Sequence, residues 1–350
     1  MDNIYVRRVS GTLLLGYVLL VALAPGPARS EVTADVFIEG LDVSSEDVKR
    51  LESGDVLAFS GADYENTDRE LAADSMILVR ADLAAVHAAL VEETTVLPGK
   101  LIIDSGIIRD ESDFDEIAFD TGDIEEVDKL LRLKPGKDYN FSEREYSWLS
   151  NELAKQRKSD EATRLSVASD AMRQVLIERY RRYRASGLEG IEGYRRSKRK
   201  TIDVGHELQL TTDAFEAFDD EFPEFVRTAV AYPEGAECCE HYFRWLKVKI
   251  AKRPTFALAH TIVQRTDEFV LLNERHFYVG HSLNSAQITL AWVPYGENTY
   301  LGLGVSASAD ILDSTLGKML RPVGRKKAEE MVSDAMIEIR SDLQSGGQQP

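Results

Sequence analysis

The sequence has few of the residues and motifs that usually reveal a catalytic or disulfide-bonded protein. Only two of its 350 residues are cysteine, and they are adjacent, Cys238 and Cys239. Two neighbouring cysteines exclude a framework of several disulfide bonds. The sequence has no glycine-rich phosphate loop and no G-x-S-x-G nucleophile motif, and His206-Glu207 lacks the second histidine of a zinc-protease motif. The common classes of nucleotide-binding and hydrolytic enzymes are therefore without support.

Long hydrophobic runs are also scarce, and the one that stands out lies at the start of the chain. The basic pair Arg7 and Arg8 precedes an apolar run at residues 13–24, and Ala-Arg-Ser before residue 31 resembles a small-x-small cleavage site. This arrangement is typical of a signal peptide, whereas a membrane span needs about 20 apolar residues. We predict that residues 1–30 are a signal peptide, and that the mature protein is periplasmic or secreted without a transmembrane segment.

Positive charge is in the minority. The chain has 42 lysines and arginines against 60 acidic residues, a formal net charge of −18. Such acidity favours solubility and argues against nucleic acid as a partner. The basic run at residues 195–200 is expected to pair with the acidic N-terminal half, with a phospholipid head-group site as the alternative. The acidic run at 110–128 lacks the glycine of an EF-hand loop, which favours a solvated face over a calcium site.

The clearest pattern present is an alternation of apolar and polar residues from Pro254 to Asp310. It predicts four consecutive strands joined by short turns, which is an antiparallel meander. Small side chains share one face of the fourth strand, at Gly302, Gly304 and Ser306. They indicate strong curvature of the strand or, alternatively, the close approach of a ligand.

Further elements are predicted on both sides of the meander. Strands are expected at 55–59, 75–80, 100–108, 201–210 and 242–250. Helices are expected at 83–91, 142–153, 160–184 and 223–230, around Phe215 and Phe218, and in a two-part C-terminal helix at 312–320 and 325–343. The predicted fold class is α+β, with an antiparallel β-meander sheet packed on a long C-terminal helix and an N-terminal α/β and helical extension.

Glycines at positions 187, 190 and 193 mark the single candidate domain boundary. They separate an acidic N-terminal α/β region at residues 31–190, ending in helices, from an α+β domain at 191–344. The tail at 345–350 is expected to be disordered.

The order of elements over residues 201–343 resembles the START-like helix-grip superfamily, also called the polyketide cyclase or Bet v 1-like group. The stretch at 211–226, Thr-Thr-Asp-Ala-Phe-Glu-Ala-Phe-Asp-Asp-Glu-Phe-Pro-Glu-Phe-Val, looks like the first helical pair of that superfamily. The resemblance implies a sheet that wraps the last helix and leaves an apolar cavity between them. It implies no catalytic residue, because the superfamily has no universal one. The large N-terminal half is a departure from the pattern.

Cysteine and histidine positions are the remaining candidates for chemistry. Cys238, Cys239 and His241 form the most metal-like cluster, but adjacent side chains on a strand point to opposite faces, so we predict no metal there. His260 and His276 would form a site if they were neighbours across the first hairpin. Glu274 and Arg275 flank His276, and we expect one of them to point inward and to need a partner. His276 is therefore the preferred titratable candidate.

We expect an exported protein that binds a lipid or another apolar small molecule in a sheet–helix cavity, without a cofactor. The same side chains would form a plain core if the cavity were filled. One alternative is an envelope structural or interaction factor without a ligand, whose protein partner is unknown. Another is a metal-dependent or hydrolytic enzyme that uses His276 or the Cys238–His241 cluster, although no nucleophile–base spacing supports it. The predicted ligand-binding residues are Phe256, Leu258, His260, Ile262, His276, Ile288, Leu290 and Trp292.

Overall fold

An eight-stranded antiparallel sheet organises the protein. The computed structural model describes Ala34, Ile38 and residues 43–89, 99–134, 136–213 and 222–346, all within one compact unit. The strands of the sheet are β1 (Leu57–Ser60), β2 (Glu70–Val79), β3 (Ile102–Ile107), β6 (Glu240–Ile250), β7 (Arg253–Arg265), β8 (Val270–Val279), β9 (Ser285–Tyr295) and β10 (Asn298–Ser308). A separate two-stranded ribbon joins β4 (Tyr194–Arg195) and β5 (Thr201–Ile202).

The sheet is surrounded by helices of very different lengths. They are α1 (Ser45–Glu52), α2 (Leu83–Ala89), α3 (Ile124–Leu131), α4 (Glu143–Leu153), α5 (Glu161–Ser186), α6 (Val204–Asp213), α7 (Pro223–Ala231) and α8 (Thr315–Gly346). Short 3₁₀ helices lie at Gly61–Tyr64, Gly99–Leu101, Glu111–Glu116, Thr121–Asp123, Ala154–Gln156, Gly187–Gly190, Ala236–Cys238 and Asp310–Asp313. The α+β class, the meander and the long C-terminal helix are confirmed. The predicted capping box of Ser142 and Glu145 starts α4.

The strand order is β1-β2-β10-β9-β8-β7-β6-β3. The meander β7 to β10 therefore occupies the middle, and strands from the first part of the chain close both edges. β2 pairs with β10, with Ile77 opposite Leu301, and β3 pairs with β6. The predicted boundary near residue 190 thus falls between strands of one sheet. Independent folding of the two regions stays a prediction.

The two faces of the sheet are covered by different helices. On the α8 face, Ile288 and Trp292 belong to the same apolar cluster as Val332 and Met336 of α8. On the α5 face, one cluster contains Leu258 together with side chains of α5, and a second contains Ile262 and Phe225 of α7. The alternation of side chains along each strand decides which cluster a residue joins.

One expected strand was wrong, and the C-terminal helix differs from the expectation in one detail. Residues 201–210 form a strand only at Thr201–Ile202, because the Asp203 carboxylate accepts a hydrogen bond from the His206 amide at 3.0 Å and starts α6. The two-part C-terminal helix is a single helix that continues through Pro322. Arg321 and Arg325, on either side of this proline, both form ion pairs with Glu65. The helix segments before and after the proline are therefore attached to the same carboxylate.

Some sequence predictions lie outside the described residues. They are the signal peptide, the helix around Phe215 and Phe218, and residues 347–350 of the tail.

Candidate functional site

Four consecutive polar side chains are buried in the central strand β8. Asn273, Glu274 and Arg275 are fully buried, and His276 is 5% exposed. Polar groups in such a position cost folding free energy unless they find partners, so a run of four is unusual. The alternation of the strand sends Asn273 and Arg275 to the α5 face, and Glu274 and His276 to the α8 face.

On the α5 face these residues continue into a band of polar and small side chains that crosses five strands. Direct strand pairing aligns two rows of residues, which together we call the polar band: Asp74, Gly304, Thr289 and Asn273 in one row, and Ser306, Gln287, Arg275 and His260 in the other. The band lies between the apolar cluster under α5 and the apolar cluster that contains Phe225. It is thus a polar strip between two apolar surfaces.

Arg275 supplies the positive charge of the band. Its guanidinium donates hydrogen bonds to the carbonyl oxygen of Ala229, to the Tyr183 hydroxyl at 3.4 Å and to Gln287 Oε1 at 3.4 Å. Thr212 of α6 also donates to Gln287 Oε1, at 3.1 Å. Among the described residues no carboxylate forms an ion pair with Arg275. A fully buried guanidinium therefore faces only neutral acceptors.

A chain of hydrogen bonds leads from Arg275 towards the surface, and its direction is fixed by the last acceptor. The Ala236 carbonyl only accepts, so His241 Nε2 carries the hydrogen of that 2.9 Å contact. In its neutral form His241 then accepts at Nδ1 from His260 Nε2, 2.9 Å away. His260 Nδ1 accepts in turn from the Tyr183 hydroxyl at 2.9 Å.

The electrostatics of this chain favour two neutral imidazoles. Burial lowers the pKa of His260 well below its usual range, and the charge of Arg275 adds to this effect. Burial also lowers the pKa of His241 and raises the pKa of the Tyr183 hydroxyl. All four ring nitrogens are then engaged in hydrogen bonds. The arrangement fixes side chains in place and leaves no ring nitrogen to act as a base.

Asp74, at the other end of the band, has a different environment. Among the described residues no hydrogen bond or ion pair reaches its carboxylate, and burial raises its pKa to about 6. Gly304 lies directly opposite on β10, and a Cβ there would lie 2.9 Å from Asp74 Oδ1. Glycine at position 304 therefore provides the space that this carboxylate occupies.

Asn273 offers a second acceptor. Its Nδ2 donates to Thr289 Oγ1 at 3.2 Å and to the Ile288 carbonyl at 3.5 Å. Its Oδ1 is buried and has no hydrogen-bond partner. The band thus contains two oxygen acceptors without partners, Asn273 Oδ1 and the Asp74 carboxylate, separated by β9 and β10.

The α8 face carries a smaller polar group. His276 Nε2 lies 2.7 Å from Glu274 Oε1, and the Thr261 hydroxyl donates to Glu274 Oε2 at 3.4 Å. A carboxylate that accepts from Nε2 orients the imidazole and leaves Nδ1 to accept a proton. The sequence singled out His276, and the structure shows that Glu274 is its partner.

The predicted ligand-binding residues are buried, but they divide between the two faces. Ile288 pairs with Glu274, and Glu274 pairs with Thr261, so these three side chains lie on one face of the sheet. Ile262 follows Thr261 in the same strand and therefore lies on the other face. They therefore do not line one common cavity, and contact of either set with a ligand stays a prediction. Phe256, Leu258, His260 and Ile262 lie on the α5 face, whereas His276, Ile288, Leu290 and Trp292 lie on the α8 face.

The condition for a His260–His276 site, that the two are neighbours across the first hairpin, is not met for the same reason. His260 pairs with Arg275, and His276 pairs with Ala259, so the two imidazoles lie on opposite faces. His260 contacts His241 on the neighbouring strand instead, because His241 and His260 both point to the α5 face.

The two cysteines are free thiols and half-buried. Cys238 Sγ lies 3.1 Å from the Thr228 hydroxyl, and burial raises the pKa of Cys239. His241 is turned towards His260 and away from a shared site with the thiols. Within the described ranges, no group of three or more histidine, cysteine and acidic side chains is arranged to hold a metal ion.

Sequence reasoning missed the residues that complete the band. Asp74 is the one acidic side chain inside the apolar stretch 71–79, a signal that could have identified it. Tyr183 lies within the helix predicted at 160–184, and nothing in that pattern indicates a partner for its hydroxyl. Gln287 lies in the third strand of the predicted meander, but the identity of its neighbours depends on strand register.

No protein-family model, curated protein or solved structure matches the chain. The resemblance to the helix-grip superfamily therefore stays a prediction. In the part of the chain that the structure describes, the helices do not combine the length and apolar character that crossing a membrane requires.

Proposed function

We propose that the protein binds a small amphiphilic molecule with a protonated amine, which lies on the α5 face across the polar band. The observation that carries this proposal is the pair of oxygen acceptors without partners, the Asp74 carboxylate and Asn273 Oδ1. The proposal narrows the expected class of lipid-like ligands to those that bring hydrogen-bond donors and a positive charge.

The amine follows from the charge balance of the band. Asp74 is half-buried, and an ionised carboxylate with reduced access to water is unfavourable until a cation approaches it. A ligand ammonium beside Asp74 would remove that cost. Arg275 uses three of its five N–H donors on Ala229, Tyr183 and Gln287, whereas Asn273 Oδ1 and the Asp74 carboxylate have no donor among the described residues.

The amphiphilic character follows from the surroundings of Asp74. Phe59 is its direct neighbour on β1, and Met76 follows on the same face of β2. The small residues Gly302 and Gly304 are half-exposed and add little bulk above the sheet. An apolar chain can pack on these residues while the amine reaches the carboxylate, which is the usual combination in small-molecule sites.

Binding is favoured over catalysis on this face because the histidines have no free lone pair. His241 and His260 use their four ring nitrogens within the hydrogen-bonded chain. The chain therefore serves to hold Arg275 and β8 in a fixed position beside the ligand.

The test compares three probes of equal chain length, dodecylamine, dodecanol and dodecanoate, by calorimetry below their micelle concentrations. At pH 7.5 we expect the amine to bind about tenfold tighter than the alcohol, equivalent to about 1.4 kcal/mol. Asp74→Asn should remove this preference. Lowering the pH to 5 should weaken it as well, because the Asp74 carboxyl, with a pKa of about 6, becomes protonated. Equal binding of all three probes, or a preference for dodecanoate, would refute the proposal.

A matched pair of glycine variants separates the site from general effects. Gly304→Ala places a methyl group against Asp74 Oδ1 and should reduce binding of dodecylamine. Gly99→Ala serves as the control, since nothing lies within 4 Å of the added Cβ. If both variants lost binding, the cause would be a change in the fold of the whole protein, and the result would not support a ligand site at the polar band.

A second candidate function is acid–base catalysis on the α8 face, supported by the orientation of His276 by Glu274. Its test is the hydrolysis of p-nitrophenyl acetate by the purified protein. A rate above background that falls at least about a hundredfold in His276→Gln would support a general base. A rate that is unchanged by the substitution would reject this candidate.

Export is a separate proposal, supported by the composition of residues 1–30. N-terminal sequencing of the protein from a cell fraction outside the cytoplasm should give Glu31 as the first residue. Recovery of a chain that still begins at Met1 would contradict it.

A further inference from the structure

Exposed apolar side chains are concentrated on one helix. Among the described residues eight large apolar side chains are strongly exposed, and six of them lie on α8, between 41% and 73% exposed. We call these six the α8 stripe: Leu316, Met319, Leu320, Val323, Met331 and Ile337. Four of the six lie close together at residues 316–323, and exposed apolar side chains grouped in this way often mark an interaction site.

The orientation of α8 is fixed by its opposite side. Val332 and Met336 are buried against the sheet. Arg321 and Arg325 bind the carboxylate of Glu65. Successive residues of the stripe are one to eight positions apart in sequence. With about 3.6 residues per turn they all fall within about 120° of one side of the helix, away from these contacts. The stripe therefore points outward along a helix of 32 residues, about 48 Å long.

Charges along the outward side change sign near the middle of the helix. Lys326 and Lys327 are exposed just before the midpoint, and exposed Glu330, Asp334 and Glu338 follow them along the helix. A second α8 lying parallel would place like charges together. A second α8 lying antiparallel would place the basic segment of each helix against the acidic segment of the other.

We propose that the α8 stripe is a homodimer interface in which two copies pack their α8 helices antiparallel about a twofold axis near residue 328. In this register Lys327 faces Glu330 of the partner subunit, and Leu320 faces the partner subunit's Ile337. Twofold symmetry repeats each contact, so one sequence change alters two contacts at once. The Leu320–Ile337 contact occurs on both sides of the axis, and the two Lys327–Glu330 contacts lie at the centre.

The charge pattern favours a second copy over a membrane surface. Glu330, Asp334 and Glu338 lie on the outward side together with the stripe. An anionic lipid surface would repel these carboxylates as well as a chain with a net charge of −18. A second copy offers Lys327 to Glu330 on each side of the twofold axis.

The test is the oligomeric state of the whole chain, measured by sedimentation velocity and light scattering over a range of concentrations. We expect a dimer that Leu320→Glu converts to a monomer. Lys327→Glu and Glu330→Lys should each weaken the dimer at least about tenfold, because each creates two like-charge contacts. The double variant, with both charges exchanged, should recover the dissociation constant to within about threefold. Circular dichroism of each variant checks that the fold is retained.

Three results would overturn the proposal. The first is a protein that stays monomeric up to about 100 µM, a weak limit for a specific dimer. The second is a double variant no stronger than the single ones, which would rule out the Lys327–Glu330 contact. The third is a monomer that binds phosphatidylglycerol vesicles and loses this binding in Leu320→Glu, which would assign the stripe to a membrane. None of these substitutions touches the polar band, so the ligand test is independent.

Discussion

Asp74→Asn tests the energetic basis of the polar band. Burial raises the pKa of the Asp74 carboxyl from its usual 3.8 to about 6. The difference of about two pKa units corresponds to about 3 kcal/mol, at about 1.36 kcal/mol for each unit. Because the folded pKa is the higher one, the folded state binds an additional proton between about pH 4 and pH 6. The stability that this proton provides is present below pH 4 and is lost as the pH rises through 6.

The substitution should therefore act in a pH-dependent manner. At pH 7.5 the wild-type carboxylate is ionised without a partner. Asparagine removes that charge, and its side chain has almost the same volume as that of aspartate. We expect Asp74→Asn to raise the free energy of unfolding by up to about 3 kcal/mol at pH 7.5. Near pH 4 the carboxyl is protonated in the folded protein, and the two proteins should have nearly equal stability.

Urea unfolding at pH 4, 6 and 7.5, followed by the fluorescence of the three tryptophans, measures this difference directly. Glu297→Gln, in the exposed turn between β9 and β10, is the control and should change the stability little at any pH. A loss of stability in Asp74→Asn at pH 7.5 would refute the reasoning. A gain of the same size at all three pH values would also refute it, since the effect would not come from ionisation.

Three further predictions concern other buried polar groups. Tyr183→Phe removes the donor to His260 and should lower the free energy of unfolding by about 1–3 kcal/mol in urea titrations. Glu145→Gln leaves the buried guanidinium of Arg179 without its ion pair and should cost about 3–5 kcal/mol, visible as a large drop in Tm. Burial lowers the pKa of His281 to about 4, so its ring signals in NMR spectra should show the neutral form at pH 5.5. Because that folded pKa is depressed, His281 also contributes a loss of stability as the pH falls from about 6.5 to 4.

Controls for these predictions come from the same chain. Tyr295→Phe removes an exposed hydroxyl that binds Glu52, and it should cost less than about 0.5 kcal/mol. An equal effect in Tyr183→Phe would show that the buried hydrogen-bonded chain adds nothing. For Glu145, an unchanged Tm would mean that the ion pair with Arg179 has no net value. A His281 ring that is charged at pH 5.5 would show that water reaches it.

The sequence was sufficient for features that repeat along a single element. The alternation in β7 and β9 correctly predicted which side chains share a face within each strand, and Asp160 correctly marked the start of α5. It was insufficient for features that depend on how strands are aligned. Turn lengths and the irregular pairing next to Leu258 decide the alignment of the strands. This alignment determines whether Ile288 shares a face with Thr261 or with Ile262.

The polar band was out of reach for a similar reason. Asp74 and Gly304 are more than two hundred residues apart in sequence, and only the pairing of β2 with β10 brings them together. His276 was identified because charged neighbours within a strand are a local signal. The hydrogen-bonded chain from Tyr183 to His241 joins a helix to two strands, and no spacing in the sequence encodes it.

The pairing of β2 with β10 also has a consequence for the order of folding. β2 is made early, but its partner follows more than two hundred residues later, at Leu301 opposite Ile77. Until then β2 has no neighbour on that side, and its apolar side chains lack the cover of α8. Contacts between such distant segments slow folding and leave strand edges open to other chains. A chain shortened before β10 should therefore aggregate, and a factor that shields β2 during synthesis should increase the yield of folded protein.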